Sequence, residues 1–327
     1  MNLIFSINTK KEDTIESLAE VINEIKTIQS KVLLRCNLKN FDFEDAGRVE
    51  KLIKSIDMLK MQKFSFCELY LDLPYPHKKV RLHSSEERII DEGELIIAYA
   101  KPGTKELYLD GELKCEAENL VIYGNGEGML RVKENNKDYI VFQAINSMRL
   151  LRNKSISAGV KEITVFHEWQ IEFLKKITER VDNVNFMLSF CDNADAVILF
   201  KENILGKIQN VKVFAKIESL LGVNNISEIV EKYDGIVVAR GDLLLSAPMK
   251  DFYQNTIAIA KATSCARKQL IFVTDILKSL DTQNIPLRSE IIDYQIMKAS
   301  GADAVILDSS VLYRKRTHIL KDALDAL

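Results

Sequence analysis

The chain is predicted to be an α/β protein, a (β/α)8 barrel carrying an inserted small all-β domain. Three observations carry this. Its 327 residues exceed one ordinary core yet fall short of three full domains. Short apolar runs alternate with amphipathic helical stretches at both ends of the chain, the pattern of a parallel sheet with crossover helices. Between about Pro76 and Val160 that alternation gives way to short β-branched and aromatic runs without helical periodicity.

Leu3 to Ile7 reads as the first strand, followed by a helix over Asp13 to Gln29 with apolar residues at Ile15, Leu18, Ile22 and Ile25. Asp13 and Glu16 fit an N-terminal capping box. The unit repeats as strand Val32 to Arg35, helix Phe43 to Lys60 and strand Glu68 to Asp72. Within the β region, Leu95 to Tyr99, Leu107 to Leu109 and Leu120 to Tyr123 read as strands. Met129 to Val132 and Tyr139 to Ile145 form a hairpin around Glu134-Asn135-Asn136-Lys137. The alternation then resumes: helix Trp169 to Val181, strand Val184 to Ser189, strand Val211 to Ile217, helix Ile226 to Lys232 and strand Gly235 to Ala239. Helix Lys250 to Cys265, strand Leu270 to Thr274, helix Arg288 to Lys298, strand Ala304 to Leu307 and a last helix from about Leu312 complete it. About eight barrel strands result, so working residues are expected at strand C-terminal ends. The expected boundaries are 1–75 and 161–327 for the barrel and 76–160 for the insert.

Composition removes several classes of function. Hydrophobic residues at 47%, charged residues at 28% and a net charge of -2 describe a globular chain with no nucleic-acid footprint. No stretch reaches the 18 or so apolar residues that span a bilayer, so no membrane partner is expected. Five cysteines, widely spaced and without a CxxC pair, read as free thiols of a cytoplasmic protein. His77, His83, His167 and His318 lack metal-ligand spacing. Gly124-Asn-Gly126-Glu-Gly128 opens no helix and reads as a turn rather than a phosphate loop. Arg314-Lys-Arg316 with Lys321 reads as the solvated face of the last helix. Cys36, pointing opposite to its neighbours Arg35 and Asn37, is expected to pack outside the barrel lumen.

In Val-Phe-Ala-Lys216-Ile-Glu218 a cation and an anion lie two apart on a strand and so point to one side. Asp242 follows the strand Ile236 to Ala239, with Gly241 allowing close backbone approach. Glu218 and Asp242 suit magnesium or manganese, which take one or two carboxylates and complete their shell with substrate oxygens and water. Lys216 beside them could neutralise a phosphoryl group in transit. The same spacing also reads as a structural salt bridge.

The stretch VFAKIESLLGVNNISEIVEKYDGIVVARGDLLLSAP resembles the pyruvate kinase segment containing the KIE and ARGD motifs. IFVTDILKSL resembles that family's ATQML segment, PLRSE its PTRAE, and GADAVILDSS its GTDAVMLSGET. LLRCNLKN, LDLPYPHKKVR and LSFCDNADAV match its ARxNFSHG, LDTKGPKIR and SF segments more weakly. The resemblance implies that the β insert is a mobile lid. It implies that Lys216 steadies the transferring phosphoryl group, that Arg35 contacts the phosphate and that Thr274 sits near the carbon that is protonated. Glu218 and Asp242 would hold Mg2+ or Mn2+. The backbone at Gly241 and Asp242 would receive the carboxylate of phosphoenolpyruvate or pyruvate, with Asn37 and Ser189 lining the substrate.

Asn37 and Asp72 match two ligands of the family's monovalent cation, but the hydroxyl residues beside them are replaced by Lys39 and Leu73. Lys39 or Lys79 would supply the charge instead, so K+ is not expected to be required. Ser6 to Lys10 lacks the proline of the family's TIGPAS segment, Asn40 replaces a histidine, and Asp308-Ser-Ser310 replaces SGE, which weakens the nucleotide side. The text ends after the eighth barrel helix, so neither a C-terminal regulatory domain nor sugar-phosphate control is expected. The leading activity is phosphoryl transfer between phosphoenolpyruvate and ADP or another acceptor. The alternatives are a metal-dependent 2-oxo-acid lyase or aldolase of the related barrels, and a non-catalytic paralogue that acts by binding. A homo-oligomer is allowed.

Overall fold

A computed structural model describes residues 1–7, 15–38, 47, 50, 52, 54, 67–73, 80–100, 107–113, 115–124, 127–157, 168–180, 184–202, 211–246, 249–308 and 316–327. The expected helix Phe43 to Lys60 and the Asp13–Glu16 capping box lie largely outside these residues. By its own contacts the chain divides into two compact units, Met1–Pro76 with Ile163–Leu243 and Lys250–Leu327, and His77–Glu162 with Leu244–Met249.

The first unit is a closed barrel of eight parallel strands. In chain order these are β1 (Asn2–Ile7), β2 (Val32–Asn37), β3 (Cys67–Leu73), then β13 (Val184–Leu188), β14 (Val213–Ile217), β15 (Gly235–Ala239), β16 (Gln269–Val273) and β17 (Ala304–Leu307). Each pairs with its sequence neighbour, and β17 closes on β1 through Asn2↔Ala304 to Phe5↔Leu307. Five-residue runs such as VFAKI and GIVVA are buried throughout, because one face meets the lumen and the other the helices.

The period of two separates those faces. Ile4, Leu33, Tyr70, Met187, Phe214, Val237 and Ile271 form the interior cluster. Their neighbours Phe5, Leu34, Leu71, Leu188, Ala215, Val238 and Phe272 join the larger outer core, and so does Cys36. Two residues further along the same faces stand Ser6, Arg35, Asp72, Ser189 and Lys216, all buried. A polar layer therefore caps the apolar one toward the strand C-terminal ends.

Among the described residues the helices are α1 (Ile15–Ile28), α2 (Glu168–Arg180), α3 (Asp195–Phe200), α4 (Leu220–Asn224), α5 (Ile226–Lys232), α6 (Arg240–Ser246), α7 (Phe252–Cys265), α8 (Arg288–Ala299) and α9 (Thr317–Asp325). Ile22 and Ile25 bury the inner face of α1, and past its end the Gln29 amide bonds both the N–H (2.8 Å) and the C=O (2.6 Å) of Leu3. None of the described helices is long and apolar enough to cross a membrane.

The second unit has its own core. Its strands are β4 (Arg81–Ser84), β5 (Arg88–Ile90), β6 (Leu95–Tyr99), β7 (Leu107–Leu109), β8 (Leu120–Tyr123), β9 (Gly128–Asn135), β10 (Tyr139–Ala144), β11 (Met148–Leu150) and β12 (Lys154–Ser157). Seven close in the order β10-β6-β7-β4-β12-β8-β9, while β5 and β11 pair separately. The hairpin around Glu134 to Lys137 is present as antiparallel β9 and β10. Gly124, at φ +66, takes the left-handed conformation that a turn demands.

Candidate functional site

Four ionisable side chains meet in the polar layer. Arg35, on β2, donates from Nε to Asp72 Oδ2 at 3.0 Å and again from Nη2 to the same oxygen, and from Nη1 to Ser6 Oγ at 2.9 Å. Lys216 Nζ, on β14, lies 3.1 Å from Asp72 Oδ1 and 3.1 Å from Glu218 Oε1, and donates to Ser189 Oγ at 3.2 Å. Ser189 in turn donates to the Leu73 carbonyl at 2.9 Å. Lys216 is 2% exposed and Glu218 1%, so water screens neither.

Two cations and two carboxylates thus sit in one buried chain whose formal charges cancel. Desolvating them costs several kcal/mol per ion, and an apolar layer of the same volume would often be as stable. Stability alone does not account for four such residues at the strand ends of a barrel, where ligands bind.

The backbone also contributes. Just past β13, Phe190 stands at φ +53, and its N–H donates to Glu218 Oε2 at 2.8 Å. Glu218 is therefore held from both sides, by Lys216 on one oxygen and by an amide on the other. Ser219 caps α4 by accepting from Gly222 N at 3.0 Å, and it bonds Asp192. Asp192 accepts through its carbonyl from Asn225 Nδ2 at 2.7 Å.

A second group forms where β15 and β16 end. Gly241 and half-buried Asp242 occupy the first turn of α6. A Cβ on Gly241 would lie 3.0 Å from Thr274 Cγ2, tight enough that Thr274 would have to yield by a few tenths of an ångström. Thr274 itself stands at φ +89, followed by Asp275 at +53 and Leu277 at +49.

Of the residues singled out from the sequence, Arg35, Asp72, Ser189, Lys216 and Glu218 come together in one network. Asn37 ends β2 opposite Asp72 in register, and Gly241 meets Thr274. Lys39 and Lys79 lie outside the described residues. Cys36 packs on the outer face, buried, away from the polar layer. Sequence reasoning did not assign Ser6, Phe190, Asp192 or Arg240 to the site. Ser6 had a signal, standing two residues beyond lumen-facing Ile4, whereas Phe190 acts through its amide and leaves no side-chain signature.

For a metal, Glu218 and Asp242 offer hard oxygen donors. Among the described residues no group of three or more His, Cys, Asp or Glu gathers to hold an ion.

The barrel-domain model of the pyruvate kinase family matches residues 13–311. The chain is 27% identical over 298 residues to a pyruvate kinase of Eimeria tenella, covering 84% of this chain and 53% of that protein. It is 31% identical over 200 residues to a pyruvate kinase of Thermococcus litoralis, covering 60% of this chain and 41% of the relative. A pyruvate kinase of Thermoplasma acidophilum is 24% identical over 292 residues, 84% of this chain and 49% of that protein. The chain spans about half the length of the curated relatives it matches.

Proposed function

The chain belongs to the pyruvate kinase family, and from that premise we propose that it is a magnesium-dependent phosphotransferase acting between phosphoenolpyruvate and ADP or another acceptor. The observation that carries the reading is the buried network in which Lys216 bridges Asp72 and Glu218 at the barrel's strand ends. Arg35, anchored through Asp72 and Ser6, presents its guanidinium to the substrate phosphate, and Asp72 fixes its orientation. Lys216 stabilises negative charge on the phosphoryl group as the P–O bond to the enol oxygen breaks, pre-positioned so that little reorganisation is needed. Glu218 and Asp242 would hold the divalent ion, which would supply Lewis-acid charge at the phosphoryl and carbonyl oxygens. The backbone at Gly241 and Asp242 receives the substrate carboxylate, Asn37 and Ser189 line the substrate, and Thr274 Oγ1 stands at the carbon that takes up a proton.

Arg35 and Lys216 already engage Asp72, which therefore does not need a monovalent cation, and we infer no K+ requirement. Free thiols at Cys36, Cys115, Cys191 and Cys265 suit a reducing, cytoplasmic setting.

The test is pyruvate formation from phosphoenolpyruvate with Mg2+ and ADP, with and without K+. Lys216→Ala and Glu218→Ala should each lower kcat by a factor on the order of 10² to 10³. Wild-type turnover equal to that of either variant contradicts the reading. Nucleotide-independent cleavage of a 2-oxo acid would replace it with a lyase.

A further inference from the structure

Thr274 is a β-branched residue at φ +89, a conformation that threonine adopts only when its surroundings impose it. Two adjacent residues of α6 meet it here. Arg240 donates from Nη2 to the Thr274 carbonyl at 2.7 Å, and Gly241 lies against the Thr274 methyl. Arg240 is itself braced from α8, its Nη1 donating to Asp293 Oδ1 at 2.5 Å, and its side chain is 12% exposed. A guanidinium so anchored spans from α8 to the turn after β16 and can hold a carbonyl in an orientation that the backbone alone would abandon.

We propose that Arg240 is a positioning residue, which through the Thr274 carbonyl holds the Thr274 hydroxyl in its working orientation, with Asp293 as its brace. The proposal deepens the reading given above and rests on it for its kinetic consequence. Its structural content, an energetic coupling between Arg240 and the left-handed Thr274, stands apart from any activity.

The test is a double-mutant thermal cycle on the whole chain, combined with steady-state kinetics. Thr274→Gly relieves the positive φ and should raise the melting temperature by roughly 2 °C in the wild-type background. In an Arg240→Met background, where the turn is free to relax, that gain should disappear. Equal gains in both backgrounds overturn the proposal. Should Arg240→Met not fold, Asp293→Asn, at a partly exposed side chain, carries the same cycle with a smaller coupling.

In the kinetic arm, Arg240→Met should lower kcat roughly 10- to 100-fold with the KM for phosphoenolpyruvate unchanged, and Arg240→Lys should restore part of it. A rise in KM at constant kcat overturns the positioning role. If the wild-type chain turns over no phosphoenolpyruvate, the proposed reaction falls, and the thermal cycle still decides this inference.

Discussion

Cys36 and Cys191 record what burial in the core outside the barrel lumen does to an ionisable group. Burial pushes the Cys36 thiol up to about 12, against the opposing pull of Arg35. Burial likewise pushes Cys191 up to about 12, although the hydrogen bond with Tyr233 works the other way. Because the folded pKa lies above the ordinary thiol value of 9.0, each thiol's stabilising contribution is complete below that pH. It is lost as the pH climbs toward about 12, since only the unfolded chain releases the proton in that window. The slope is about 1.4 kcal/mol per pH unit for each thiol. Urea unfolding between pH ~8 and ~11 should therefore show the wild type losing stability more steeply than a Cys36→Ala/Cys191→Ala variant. Parallel profiles would contradict the assignment.

Among the elements, β14 and β15 show how tightly the barrel is built around its charged layer. Phe214 stands in the apolar layer beneath Lys216, edge-to-face with Tyr70 at 5.6 Å between ring centroids. Gly235, at the start of β15, leaves room for that ring, since a Cβ there would come within 2.4 Å of Phe214 Cε1 and 2.9 Å of the Gln269 carbonyl. Gly235→Ala should cost about 1–3 kcal/mol through overpacking, read as a lowered guanidinium midpoint at unchanged slope. An unshifted midpoint would show that the ring has space to yield.

The barrel strands were legible because a strand buried on both faces is written as a continuous apolar run, as in Val213–Ile217, and because the period of two points Lys216 and Glu218 the same way. Several of the short elements were not, although strand Leu107–Leu109 and helix Ile226–Lys232 were. Helices α3, α4 and α6 run five to seven residues, too few for a helical period to emerge, and β5 and β11 are three residues each. Contacts that join distant residues through the backbone, such as Arg240 to the Thr274 carbonyl, leave no trace in local spacing. The side chains Arg35, Lys216 and Glu218 could be found from motif and alternation, whereas the groups that hold them could not.

For the molecule as a whole, 45 basic and 47 acidic residues nearly balance, and the same balance recurs in miniature where Arg35 and Lys216 face Asp72 and Glu218. The barrel unit and the β unit each enclose a separate core. Arg35, Asp72, Lys216 and Glu218 all lie in the barrel unit. The most direct measurement is an anomalous difference map from crystals soaked with Mn2+ and phosphoenolpyruvate. A single manganese peak should lie about 2.0–2.3 Å from carboxylate oxygens of both Glu218 and Asp242, with the phosphate against Arg35 and Lys216. Manganese bound away from both carboxylates, or a phosphate seated elsewhere in the barrel, would contradict the claim that this layer is the catalytic centre.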